Sequence, residues 1–331
     1  MDVGVNIIQL AIYLVGFIAF AALNAAYLVW VERKGAARFQ LRVGPKEAGP
    51  FGLLQPLADG AKLMSKQINL PSVVDKPLFI LAPIMSMVPA VMCFVTVPYS
   101  DFIVARDVNL GLLMIFAFAS VNILALMLAG WSSRNKYAVM SSARVVSQNI
   151  AYEIPMLVIA ITIVMISGSL NLREIVAVQA GGFWNWNILP VNGNLLGPIT
   201  FVLFFICYLA ETNRAPFDLG ECESELIAGF HTEYGGMGFG LFFMAEYANI
   251  VLGASLTTIL FLGGWHCPFG LTDGFWWFLI KMYGLIWTVV WIRWTFPRMT
   301  VWGLLNLAWK ILIPFSLFNL LGSAGLIKFL G

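Results

Sequence analysis

Carboxylates embedded in apolar sequence are the residues whose chemistry stands out. Glu153 lies in "QNIAYEIP", Glu246 in "FFMAEYANIVLG" and Glu211 at the end of "FFICYLAE". Gln148, Asn149 and Tyr152 surround Glu153, and Asn249 follows Glu246 on the same helical face. The stretch "LAETNRAPFDLGECESELIAGFHTEY" then holds Glu211, Asp218, Glu221, Glu223, Glu225 and Glu233 against one base, Arg214. That is six of the chain's 17 acidic residues. If the stretch is helical, Asp218, Glu221 and Glu225 share a face and repel one another. Partial burial raises carboxyl pKa values further, and interacting carboxyls titrate as a set. Such a group holds protons near neutral pH, passes them, or shifts charge when a neighbour changes. Plainer readings stand beside this one. Glu211 and Arg214 form a local ion pair, Glu153 and Glu246 are protonated bridges between helices, and the loop acids are a solvated face.

The elements that must position these groups follow from composition. The chain is 60% hydrophobic and 11% charged, against about 25% charged in soluble domains. This is the make-up of an all-α polytopic membrane protein. A helical span needs about 20 apolar residues, and eight segments qualify: 5–31, 77–98, 109–131, 149–168, 196–213, 237–263, 275–296 and 304–330. Asp2 sits where a signal peptide carries a base, so the first segment reads as a retained span. No repeat and no soluble domain interrupts the chain, and residues 1–331 read as one integral membrane domain. Pro83, Pro89 and Pro155 fall inside spans and free backbone groups there. In the first connection, "GLLQPLADGAKLMSKQI" sets Leu54, Leu57, Ala58, Ala61, Met64 and Ile68 on one stripe, opposite Asp59, Lys62 and Lys66. That pattern predicts a short helix lying in the membrane interface.

Basic residues set the orientation. Arg33, Lys34, Arg38, Arg42, Lys46, Lys62, Lys66, Lys76, Arg134, Lys136, Arg144, Arg214, Arg293 and Arg298 fall to one side, and Arg106, Arg173 and Lys328 to the other. The connections 32–76, 132–148, 214–236 and 297–303 are therefore expected on the inner side, and both termini on the outer. The acidic stretch faces inward.

Other chemistries lack residues. Cys93, Cys207, Cys222 and Cys267 form no CxxC pair, and His231 and His266 are distant, so no metal site is expected. "GGMGFG" follows no strand and is no phosphate loop. Nucleic-acid binding does not suit a chain buried in lipid. Any electrons must come from partner subunits.

Several inner-face segments carry a resemblance: "ERKGAARFQLRVGP", "GLLQPLADGAKL", "GWSSRNKYA", "AYE", "ETNRAPFDLGECESEL" and "EYGGMGFGLFFMAEY". Together they make the chain similar, over essentially its whole length, to the quinone-site membrane subunit of respiratory complex I. The resemblance implies that NADH, FMN and iron–sulfur clusters sit on partner subunits docked on the inner face. Quinone is then the lipid-soluble substrate, other membrane-arm subunits adjoin, and no catalytic residue is assigned to this chain. Matched positions for the quinone cavity are Glu32, Arg33, Arg38, Gln40, Arg42, Asp59, Arg293 and Arg298. A glutamate line coupling quinone reduction to proton pumping matches Glu153, Glu211, Glu221, Glu223, Glu225, Glu233 and Glu246, with Asp218 beside them. Gly220 replaces a usual proline, and Met299–Trp302 departs from a usual arginine and aspartate. The equivalent subunit of a membrane-bound hydrogenase, or another donor-dependent complex, is the alternative; a stand-alone ion transporter fits less well. The expected location is a bacterial inner membrane, or an organellar one.

Overall fold

A computed structural model of the chain describes residues 7–190, 194, 196–220, 223–270 and 272–330, with side chains at 7–14, 17–18, 21, 223–224 and 330 left aside. Glu221 lies outside the described residues, as does the side chain of Glu223, and so do both chain ends. The described residues are helical and joined by turns. In order come α1 Ile7–Phe39, α2 Gln55–Ser65, α3 Lys76–Thr96, α4 Gly111–Ser132, α5 Lys136–Ser167, α6 Leu172–Val178, α7 Gly197–Glu211, α8 Glu223–Leu226, α9 Met237–Phe261, α10 Phe275–Thr295, α11 Val301–Leu307 and α12 Ile313–Leu330. Among the described residues six helices are long and apolar enough to cross a membrane: α3, α4, α5, α9, α10 and the continuous Val301–Phe329 helix. The two remaining expected spans correspond to α1, 33 residues long, and to α7, apolar but only 15 residues long.

Two helices outrun the spans predicted from hydropathy. Helix α5 begins at Lys136 rather than 149 because Asn135 caps it, accepting a hydrogen bond from the Tyr137 amide. Its first three turns are too polar for a membrane window yet still helical. Glu153 consequently sits mid-helix, though still early in the apolar part of α5. Helix α1 likewise continues to Phe39, which puts Glu32, Arg33 and Arg38 on a helix instead of a loop. The expected interfacial helix is α2, with Leu54, Leu57 and Met64 exposed along its stripe.

Helix α9 is the axis of the bundle: α1, α3, α7 and α10 pack around it. Its Ser255, Thr257 and Thr258 are fully buried and donate to carbonyls one turn back, so none of the three hydroxyls is left unsatisfied in an apolar setting. Helices α7 and α9 meet closely at Gly253, where the Tyr208 ring rests against the bare backbone and its hydroxyl donates to the Ile250 carbonyl at 2.6 Å. The last helix carries a π turn over Ala308–Leu312, in which the Ile313 amide reaches back to Ala308. Pro314 follows and has no amide to offer, so the wider turn absorbs the break.

Candidate functional site

The segment after α7 does not continue as a helix. Asn213 takes a left-handed turn at φ 50°, so helical spacing is lost between Glu211 and Arg214. The local ion pair weighed from that spacing does not form. Arg214, 3% exposed, instead swings to α9 and α1: its Nε lies 2.9 Å from Glu246 Oε1, and its Nη1 3.6 Å from Glu32 Oε1. The guanidinium also rests 4.4 Å above the Tyr247 ring. Glu32, itself buried, accepts from the Tyr247 hydroxyl at 2.6 Å and from Arg293 of α10. Two carboxylates and two guanidiniums thus neutralise each other where α1, α7, α9 and α10 converge. Burying any one alone would cost several kcal/mol, on the order of 3–5. A quartet of this kind responds as a unit: moving one arginine changes the field on both acids.

Glu246 also faces a cavity of about 30 Å³ lined by Glu211, Asp218, His231, Asn122 and Asn249 among others. A second cavity of equal volume, with Asn149 in its wall, shares Asn122, Glu211, Thr212 and Asn249 with the first. Each has room for about two waters. The Asn149 Oδ1 atom is buried, and no group among the described residues satisfies it. Across α4, Glu153 accepts from the Ser120 hydroxyl at 2.5 Å, and Ser86 donates to Asn122 at 2.8 Å. Polar groups therefore run from the charged quartet past Glu211 toward the middle of α5.

The loop acids behave differently from the expectation of a shared helical face. Among the described residues of this loop only Glu223–Leu226 is α-helical, followed by a tight turn over Gly229–His231. The described acids here have separate partners: Asp218 with Arg298 at 3.2 Å, Glu225 with Arg144 at 2.5 Å, and Glu233 with Asn135 at 2.8 Å. For these three acids, pairing with α5, its N-cap and the connection after α10 takes the place of a shared helix face. Gly220 occupies a place where an added Cβ would meet Val145 at 2.4 Å. His231, outside the spans, has its imidazole pushed down to about 4 by burial, against the opposing pull of Asp218.

A larger chamber, about 690 Å³, opens between α1, α2 and α9. Its walls are mainly apolar, including Ala25, Ala26, Val29, Leu63, Met237 and Phe243, and Tyr247 joins it to the charged quartet. Arg33 and Asp59 pair across its lining at 2.9 Å, with Gln55 donating to Asp59 at 2.8 Å. Of the matched cavity positions, Arg33 and Asp59 line this chamber and Glu32 lies just behind it with Arg293. Arg38, Gln40 and Arg42 sit exposed at the end of α1 and its following turn, away from the lining. Arg298 belongs with Asp218. Reasoning from sequence missed Tyr247, Ser120, Asn122 and His231 as site residues. The signal for Ser120 and Asn122 was there, two polar residues in "FAFASVNIL"; for Tyr247 there was none.

The family model for NADH dehydrogenase matches residues 12–324. A protein of Desulfotalea psychrophila, described as a subunit of NADH-quinone oxidoreductase, is 66% identical over 314 residues, covering 94% of this chain and 94% of that protein. Proteins of the same description from Dehalococcoides mccartyi and Carboxydothermus hydrogenoformans are 42% and 43% identical over 317 residues, covering 96% and 95% of this chain and 86% and 88% of those proteins.

Proposed function

The chain belongs to the NADH dehydrogenase family, and on that premise we propose that it is the membrane subunit of a proton-pumping NADH:quinone oxidoreductase that encloses quinone and couples its reduction to proton translocation. The whole chain acts as one integral unit, set in a bacterial inner membrane with both termini outside. Partner subunits on the inner side bring NADH, FMN and the iron–sulfur chain, and further membrane-arm subunits flank it. Quinone is the substrate; this chain supplies walls and charges, not the electrons.

One observation carries the reading. An apolar chamber of about 690 Å³ touches, through Tyr247, the Glu32–Arg214–Glu246–Arg293 quartet, whose Glu246 lines one of the Glu211 cavities. Adding electrons to a quinone beside this quartet calls for protons, and the nearest change in field falls on Glu32 and Glu246. Arg214 then transmits the change to the Asp218, Glu211 and Glu153 groups. Glu221, Glu223, Glu225 and Glu233 belong by sequence to the loop side of that line. Arg38, Gln40 and Arg42 guide partner docking around the chamber.

Ala26→Trp tests the chamber. Ala26 lines it without touching the charged quartet, so the larger ring takes up space and spares the ion pairs. In the intact complex the quinone KM should rise several-fold while NADH oxidation by a soluble artificial acceptor is unchanged. Unaltered quinone kinetics would place the substrate elsewhere.

A further inference from the structure

Helix α9 ends at Phe261, at the end of the bundle away from the charged quartet. The last carbonyls of a helix have no partner within it, and here each is met from outside. The side-chain amide of Gln179 donates to the Ile259 carbonyl at 2.8 Å, that of Asn187 to Leu260 at 2.9 Å, and the Ile188 backbone amide to Phe261 at 3.2 Å. Beyond them the carbonyls of Leu262, Gly264 and His266 share one donor, the Lys281 ammonium of α10, at 2.7, 2.9 and 2.6 Å. The same Nζ lies 4.1 Å from the centre of the Trp186 ring.

Hydrogen bonding alone does not call for a charge here, since uncharged amides meet the neighbouring carbonyls. Yet an ammonium stands six residues, about 9 Å, inside the start of α10, where a charge loses hydration. The α9 terminus supplies about half a negative charge, which leaves the site positive. Asp273 lies at the exposed edge, bonded to His266 at 2.7 Å and to the Cys267 amide at 2.8 Å, where solvent and salt screen it. Position gives the buried charge a task. The cavity walled by Asn149 reaches Leu256 of α9. The fully buried Ile259, Leu260 and Phe261 separate that level from Leu262, about 9 Å along the helix. In the same layer the buried Oδ1 atoms of Asn187 and Asn194 have no partner among the described residues, and such atoms suit water. Apolar packing therefore does not by itself close this layer to protons. A fixed positive charge does, as in pores that pass water and exclude protons.

We propose that Lys281 is a proton seal between the Glu211 cavities and the outer side, a fixed charge that keeps protons held for coupling from exchanging with the outer solution. The inference rests on the proton-coupling reading of those cavities and adds a residue that the reading does not use.

The test uses the intact complex in sealed vesicles with a pH-sensitive dye inside, a pH step imposed outside and no NADH present. Lys281→Gln keeps a hydrogen-bond donor and removes the charge. It should raise passive proton conductance about tenfold or more, the effect of one poorly screened charge on an ion passing near it, while quinone reduction persists. Lys281→Arg should stay tight. Trp186→Leu loosens the packing around the ammonium and keeps its charge, so it too should stay tight, a result that bears on the proposal even where Lys281→Gln does not assemble. Adding Glu211→Gln to Lys281→Gln should close the leak. Tight Lys281→Gln vesicles, leaky Trp186→Leu vesicles, or a leak untouched by Glu211→Gln would each overturn the proposal. All of these are measured at rest, so the coupling reading is judged separately, by proton uptake during turnover in Glu211→Gln alone.

Discussion

Arg214 holds together what sequence separates: Glu32 on α1, Glu246 on α9 and the Tyr247 ring. Arg214→Met leaves the half-buried Glu246 beside a neutral side chain and takes one of two guanidiniums from the buried Glu32, and should destabilise the subunit by about 3 kcal/mol. Tyr247→Phe removes only the hydroxyl bonded to Glu32 and should cost nearer 1–3 kcal/mol. Thermal unfolding of the purified complex ranks the two; equal effects would mean that the quartet does not depend on its central arginine. His231 offers a pH test at the same scale. Its imidazole, at about 4 in the fold, takes up a proton near 6.5 once unfolded. The unfolded chain therefore binds more protons between these values, and the fold loses stability as pH falls from 6.5 toward 4, with no contribution from this residue above 6.5. The slope approaches about 1.4 kcal/mol per pH unit in that window. His231→Phe should flatten the acid loss seen when unfolding is compared at pH 7 and 5. An unchanged loss would assign it to other groups.

Among elements, the α7–α9 contact gives the cleanest prediction. A Cβ at Gly253 would stand 2.2 Å from the Tyr208 ring, so Gly253→Ala must push α7 outward. Overpacking of this kind costs about 1–3 kcal/mol, and adding Tyr208→Leu should recover part of it in thermal unfolding. A neutral Gly253→Ala would show the contact to be slack. The elements also explain what sequence could reveal. Glu153, Glu211 and Glu246 were legible because a carboxylate in an apolar run is costly and therefore conspicuous. The extent of α5 was not, since hydropathy reports what can cross lipid, whereas Lys136–Gln148 is helical through its cap and its packing. Nor was the partner of Arg214: spacing pointed to Glu211, and a single left-handed residue, Asn213, redirected the side chain. The chamber was illegible for a different reason. Its walls come from the consecutive helices α1 and α2 and from α9, far along the chain, and no local pattern encodes their meeting.

At the scale of the whole molecule, two kinds of space meet at one charged junction. The large apolar chamber lies on one side, and on the other lie two small cavities that share Asn122, Glu211, Thr212 and Asn249. Electron delivery by partner subunits and proton movement within the membrane can be coupled through such a junction without either passing through it. Glu211 is the sharpest probe, because it lines both small cavities and lies outside the quartet. Glu211→Gln keeps the shape and removes the ionisable group. The decisive measurement is NADH-driven proton uptake into vesicles holding the intact complex, recorded alongside quinone reduction and NADH oxidation by a soluble acceptor. The account predicts that proton uptake and quinone reduction fall together in Glu211→Gln while the soluble-acceptor rate stays at the wild-type value. Full proton uptake with unimpaired quinone reduction would contradict it.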